Sequence, residues 1–364
     1  MRDTEVRVRT HIVQRVAIAP GRAALYRLLA IVLALFTGGL FLLAVGFNPF
    51  PVYGTMVQGA VGSASNLREM VKIAIPLCIT SLAVTLAFKM RFWNIGAEGQ
   101  ISAGAIAASF FALNYASWPQ PLLLTVMAVA GILAGGLWGL IPAYFKARFN
   151  TNETLFTLMM NYIAIFIIQL MREGPWKDPH SGFPKVPMFE KSARMPQVLG
   201  VHAGWIVALV LVILVYVYLN RTKQGYELTV VGENENTARY AGMNVKKIIL
   251  RTMFLSAAIA GLAGMLQASG ADRTLTETVA GGVGFTAITV SWLSQLNPLG
   301  ILIVSVLFAC LDKGSGTIRS VYNISPSTSE VFQGIILFFV LGAEFFINYK
   351  IIWGRKGGAN QWTH

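Results

Sequence analysis

The chain has 364 residues, of which 55% are hydrophobic and 12% charged, with a formal net charge of +13. Several apolar stretches reach the roughly 20 residues that cross a bilayer, which excludes a soluble globular class and describes a polytopic membrane protein. The basic residues sit mainly in tails and between apolar runs, so topology and anionic headgroups explain them better than nucleic acid does.

Residues 1–24 form a polar tail with Arg2, Arg7, Arg9, Arg15 and Arg22, expected in the cytoplasm. The membrane domain is expected over 25–349, its first span at 25–45. Residues 49–62 contain Pro49, Pro51, Gly54, Gly59 and Gly62, too broken for an ordinary spanning helix. A second span at 70–88 ends against Lys89 and Arg91. The polar, glycine-rich lead-in Asn94-Ile-Gly-Ala-Glu-Gly-Gln100 then opens a third span at 101–116.

The fourth span, 122–145, carries Gly131, Gly135 and Gly139 at intervals of four, a bare face for close helix packing. The fifth, 154–171, places Asn161 and Gln169 among apolar residues. A proline-rich loop at 172–200 is expected outside, and a sixth span at 205–219 follows. Next comes the polar stretch 220–247, placed in the cytoplasm by Arg221, Lys223, Arg239, Lys246 and Lys247. Asn234 or Thr237 offers an N-cap, and the pattern predicts a short helix over 235–241 ending at Gly242. Such a segment is either a solvated loop that fixes topology or a docking helix.

The seventh span, 248–268, again has a small-residue face in Ser256, Ala260 and Gly264. Short runs at 281–295 and 299–311 are read as two spans, followed by a polar loop with Asp312, Lys313 and Arg319. The last span, 331–349, leads to a cytoplasmic tail at 350–364. Counting the short runs separately gives about ten spans with both ends inside; fusing them would put Lys350, Arg355 and Lys356 outside, against the charge rule. The expected fold is therefore all-α and polytopic, with some helices short or discontinuous. Spans two to five and seven to ten show a similar order of features, and an offset of five spans makes them two inverted-topology halves. Substrate paths in transporters lie at such repeat interfaces.

Resident chemistry is not expected. There is no Gly-x-x-x-x-Gly-Lys-Ser/Thr phosphate loop. His11, His180, His202 and His364 lack metal-ligand spacing, and Cys78 and Cys310 lie in apolar runs.

Asn94-Ile-Gly-Ala-Glu-Gly-Gln100 is similar to the signature of permease subunits in bacterial ABC importers of nucleosides, related to the simple-sugar and branched-chain amino-acid permeases. Ala238-Arg-Tyr-Ala-Gly-Met-Asn-Val-Lys246 resembles the segment where such permeases meet their ATPase. Phe285–Ser294, Asn297-Pro-Leu-Gly300 and Val331-Phe-Gln-Gly334 also match, so the resemblance covers about residues 65–350; Glu233-Asn-Glu-Asn236 matches more loosely. The resemblance implies a non-enzymatic permease subunit in the cytoplasmic membrane. Its partners would be an ABC ATPase subunit holding ATP and Mg, a second permease chain, identical or homologous, and an extracytoplasmic substrate-binding protein. Membrane lipids and a small polar substrate complete the set; nucleic acid does not enter. An ion-coupled secondary transporter and a non-transporting scaffold or receptor are the alternatives.

Polar groups inside membrane runs are the candidates for the substrate path. Glu98, with Asn94 and Gln100, either contacts substrate or caps backbone amides at a helix break. Asn161 either meets a base or ribose or bonds helices together. Phe285, Thr289 and Trp292 would offer stacking and a hydroxyl, or else pack and anchor. Gln333 and Glu344, eleven residues apart, share a helix face. Glu235, Ala238, Arg239, Tyr240 and Gly242 are the ATPase-coupling candidates.

Overall fold

Local chemistry starts most helices where their backbone amides find an acceptor. In the computed structural model, which describes residues 9–14 and 20–354, a strand β1 (Arg9–Gln14) precedes α1 (Pro20–Ala44) and α2 (Pro49–Val61). Ser63 caps α3 (Ala64–Lys89), its Oγ accepting the Asn66 N–H at 3.1 Å. Next come α4 (Ala97–Asn114), α5 (Gln120–Phe149) and α6 (Glu153–Glu173), the last capped by Asn152. The connection to α7 (Gly204–Arg221) holds a small hairpin, β2 (Gln197–Val198) and β3 (Val201–His202). Two polar helices, α8 (Lys223–Glu233) and α9 (Glu235–Tyr240), lead into α10 (Val245–Leu266), which continues as a π turn over Gln267–Asp272. The chain closes with α11 (Val283–Leu293), α12 (Pro298–Tyr322), α13 (Pro326–Asn348) and β4 (Tyr349–Gly354).

The all-α polytopic class holds, while length and apolarity alone do not bring the count of spans to ten. Among the described residues seven helices are long and apolar enough to cross a membrane, or eight if a bent pair counts as one span. Each of the ten expected runs is helical; α4 and α11 fall outside the seven, and α1 meets α2 in a 116° bend. The polar loop expected around Asp312, Lys313 and Arg319 is instead the second part of α12. Polar side chains do not end a helix while its backbone hydrogen bonds continue, and no proline interrupts this one. The broken stretch at 49–62 is largely helix α2, with Pro49 in the first turn, where a missing N–H costs nothing.

Chain contacts divide the molecule into two compact units, one made of the residues up to Val57 with those from Gly314, the other Gln58–Lys313. In the first, α1 packs against α13 around Leu42, Val52, Ile318 and Phe332, and β1 pairs antiparallel with β4 in the register Arg9↔Gly354 to Gln14↔Tyr349. In the second, α3, α4 and α10 are the enclosed helices, while α5, α6 and α7 present apolar residues outward. The glycine face of α5 meets α10, but at Ala257 and Gly261 instead of the expected Ser256, Ala260 and Gly264. A Cβ on Gly135 would stand 2.6 Å from Cα of Gly261, so α5 and α10 touch backbone to backbone, while Gly264 lies against Ile101 of α4. Ser256 of α10 ties to α3 by donating to the Ala83 carbonyl at 2.6 Å.

The connection after α6 is fastened to the far end of α10. Phe189 N–H donates to the Arg273 carbonyl at 2.8 Å, Met195 N–H to that of Ser269 at 3.1 Å, and Thr274 Oγ1 to that of Val186 at 3.0 Å. The proline-rich segment is thus held by backbone bonds against the π turn.

Candidate functional site

Residues 90–96 leave the helical path between α3 and α4, and their freed backbone groups are met by α6. Thr157 Oγ1 accepts the Ile95 N–H at 3.2 Å, and Asn161 Nδ2 donates to the Ile95 carbonyl at 2.9 Å. Asn161 Oδ1 accepts the Gly99 N–H at 2.8 Å, in the first turn of α4. The side-chain amides of Asn94 and Gln100 exchange two hydrogen bonds of 3.1 and 3.0 Å, and Asn94 Oδ1 also accepts the Gly96 N–H at 3.0 Å. Asn94, Gln100 and Asn161 are fully buried with these partners. Their place is in the frame that opens α4.

Glu98 joins this frame to the second glycine-led lead-in. Its Oε1 accepts the Gly282 N–H and its Oε2 the Gly284 N–H, both at 2.7 Å. These are orphan amides at the start of α11, where a carboxylate also meets the positive end of the helix dipole. Gly282 has φ +81°, a conformation that favours glycine, and a Cβ on Gly284 would stand 2.6 Å from Glu98 Oε2. The backbone of α11 therefore approaches α4 as closely as it does because of glycine. The helix-capping alternative for Glu98 is what the geometry contains.

Held at its start, α11 buries Gly284, Ala287, Val290 and Ser291. Ser291 Oγ lies 2.9 Å from the Ser81 carbonyl of α3. The other face carries Phe285 and Trp292, each nearly half exposed, with the partly buried Thr289 between them. Spacing of four and then three residues puts all three on one stripe. Trp93, which the sequence did not single out although it adjoins Asn94, stacks on Trp292 with ring centroids 5.9 Å apart and an interplanar angle of 27°. Phe88 sits against both rings. The result is an open aromatic face with a hydroxyl, backed by a satisfied polar frame. Gln333 lies in the other compact unit, on α13.

The polar stretch 220–247 also has a defined form. Asn234 Oδ1 accepts the N–H groups of Asn236 and Thr237 at 2.9 and 3.1 Å, so Asn234 rather than Thr237 caps α9. Gly242 stands at φ +75°, and the Met243 N–H returns to the Ala238 carbonyl at 3.0 Å to close the helix. Ala238 is on the buried face of α9, whereas Glu235, Arg239, Tyr240 and Gly242 face outward, and Tyr240 is 93% exposed. Helix α8 was not foreseen; Thr222 caps it, and Glu227 anchors it to α10 through Arg251 at 3.0 Å. A cavity of about 230 Å³ is lined by the charged residues Arg91, Lys146, Glu153, Glu233 and Glu235 together with apolar ones, with Lys146 and Glu153 paired at 2.9 Å. The α8–α9 pair is thus a buttressed platform.

A bundle of membrane-length helices, a polar helix break sealed inside it and a capped helical platform at one end define a membrane-embedded permease subunit. Sequence comparison gives the family. Residues 66–341 match the branched-chain amino acid transport system / permease component family, and the chain belongs to it. It is 32% identical to the glucose ABC transporter permease protein of Haloferax volcanii, over 90% of each chain. It is 30% identical to the guanosine ABC transporter permease protein of Bacillus subtilis, over 92% of this chain and 97% of that one. Identity is 28% to the nucleoside ABC transporter permease protein NupB of Lactococcus lactis, over 88% and 91%. The protein is accordingly a transport subunit of an ABC importer, with ATP hydrolysis on a separate chain.

Proposed function

We propose that this permease carries nucleosides, with simple sugars as the neighbouring class, along the exposed stripe of α11. The observation that carries the reading is the face formed by Phe285, Thr289 and Trp292 with Trp93, held open by the Glu98 clamp. A nucleoside is a neutral ring system with hydroxyls; aromatic rings take its base by offset stacking, and a hydroxyl takes the ribose. A permease fed by a binding protein works with weak contacts, because tight binding in the path would hinder release. Two relatives named for guanosine and nucleosides support this substrate, and the relative named for glucose supports the sugar reading.

In this reading α9 docks on the ATPase, with Tyr240 as its exposed anchor and Glu235, Arg239 and Gly242 around it. Ala238, on the buried face of α9, keeps the helix seated. ATP moves the equilibrium only if it binds one conformation of the assembly better than the other, and a capped helix conveys such a shift where a loose loop would not. A second permease chain would face α11 across the path, and an extracytoplasmic binding protein would deliver substrate. Both termini and α8–α9 are placed in the cytoplasm, which the charge distribution supports; the pairing of β1 with β4 supports a shared side for the termini.

Complementation tests the function. Cells lacking their own nucleoside uptake, given this chain with its ATPase and binding protein, are expected to take up labelled guanosine and uridine. Phe285→Ala and Trp292→Ala should reduce that uptake at equal membrane abundance. Uptake of glucose but neither nucleoside would move the assignment to sugars.

A further inference from the structure

Away from α11, the second unit contains an apolar groove of about 370 Å³ between α3, α7 and the first part of α12. Its walls include Ala74 on α3 and Ala208 on α7, and it reaches Cys78 and Ser305 at the inner end. One charged side chain, Arg68, belongs to the lining. Arg68 stands in the second turn of α3, exposed, with its guanidinium against the turn at Gly200, where an added Cβ would meet Nε at 2.6 Å. Among the described residues no carboxylate lies within ion-pair distance of it, whereas its neighbour Lys72 is paired with Glu69 at 2.7 Å. Trp205, at the start of α7, lines the same groove.

We propose that this groove is a binding site for one acyl chain of an outer-leaflet phospholipid whose anionic headgroup rests on Arg68. Three features select that occupant. Arg68 lies at the end of α3 opposite Lys89 and Arg91, and so at the external interface by the charge rule. Trp205 on the groove wall is the residue type enriched near membrane interfaces. From Arg68 to Cys78 the helix rises about 15 Å, half of the roughly 30 Å hydrocarbon core, so the groove runs from the interface through one leaflet. A planar guanidinium that no carboxylate pairs among the described residues matches a phosphate oxygen pair. A free phosphate would use Arg68 and leave the apolar walls empty, and a nucleoside would find few polar partners along them.

The test uses the full chain in lipid nanodiscs with a phosphatidylglycerol carrying a photoactivatable group in its acyl chain. Adducts are mapped by mass spectrometry. They are expected to concentrate on residues 71–78 and 205–209 over the lipid-facing positions Leu133 and Phe166, and Ala208→Trp should abolish them there. Unlabelled phosphatidylglycerol should compete better than phosphatidylcholine. Arg68→Gln should weaken that headgroup preference about fivefold, the worth of one basic residue near an anionic lipid, while Arg68→Lys keeps most of it. Adducts spread evenly over the lipid-facing helices, or a headgroup preference unchanged in Arg68→Gln, would overturn the proposal. Since adducts are read without transport, the outcome is independent of the substrate assignment.

Discussion

Glu98 is the residue on which the site turns, because one carboxylate satisfies two backbone amides, one buried and one partly buried, at the start of a helix far along the chain. Removing it leaves both amides without an acceptor, at roughly 1–3 kcal/mol for each unsatisfied group. Glu98→Ala is therefore expected to lower stability by about 3 kcal/mol and to abolish most uptake. Glu98→Gln retains one carbonyl acceptor and should fall between Ala and wild type in both thermal unfolding and transport. Equal, full activity of the two variants would contradict the clamp.

His202 gives a second test at the same scale. It is buried in β3 outside the spanning helices, with neither ring nitrogen bonded, and burial pushes its pKa from 6.5 down to about 4, the charge of Lys72 adding to the effect. Between those values the unfolded chain binds more protons than the folded one, so stability falls as pH drops through that window and is complete above it. Thermal unfolding should show a larger loss from pH 7.5 to 5.0 in wild type than in His202→Phe. Parallel losses would remove the histidine from the explanation.

Among the elements, α9 was legible because its signals are local: Asn234 lies directly before it and Gly242 directly after. The lead-in at Asn94 was legible for the same reason, since glycine and polar residues interrupt an apolar run. Its partners were not, because Gly282 and Gly284 are 184 and 186 residues from Glu98 and no spacing rule connects them. Helix α12 runs on through Asp312 and Arg319 because helical hydrogen bonding persists across polar positions that a hydropathy reading treats as a break. Likewise α8 depends on the Glu227–Arg251 pair, 24 residues apart.

Two substitutions test the elements as units. Gly284→Ala would place a methyl 2.6 Å from Glu98 Oε2 and force α11 off α4, at about 2 kcal/mol for overpacking, with uptake reduced and membrane insertion intact. Tyr240→Ala removes only the exposed anchor of α9, so the permease should fold normally while its affinity for the ATPase falls about tenfold, in the range of an interface aromatic. Unchanged affinity would place the docking surface elsewhere.

At the largest scale, the proposed cytoplasmic placement of the tails and of α8–α9 rests on the charge distribution. In a background without Cys78 and Cys310, a cysteine at residue 236 or 352 should resist an impermeant thiol reagent in intact cells, while one at 183, exposed in the connection after α6, should react. Reaction at 236 would invert the topology and place the platform away from any ATPase.

The central claim, that substrate passes along the exposed stripe of α11, is tested most directly by ligand protection at its middle residue. Thr289→Cys in the cysteine-free background is labelled with a small thiol reagent in the assembled importer, alone and with guanosine or glucose present. The account predicts labelling at 289, none at the buried Ser291→Cys, and protection of 289 by guanosine well beyond that by glucose. Labelling at 289 that guanosine leaves unchanged would contradict it.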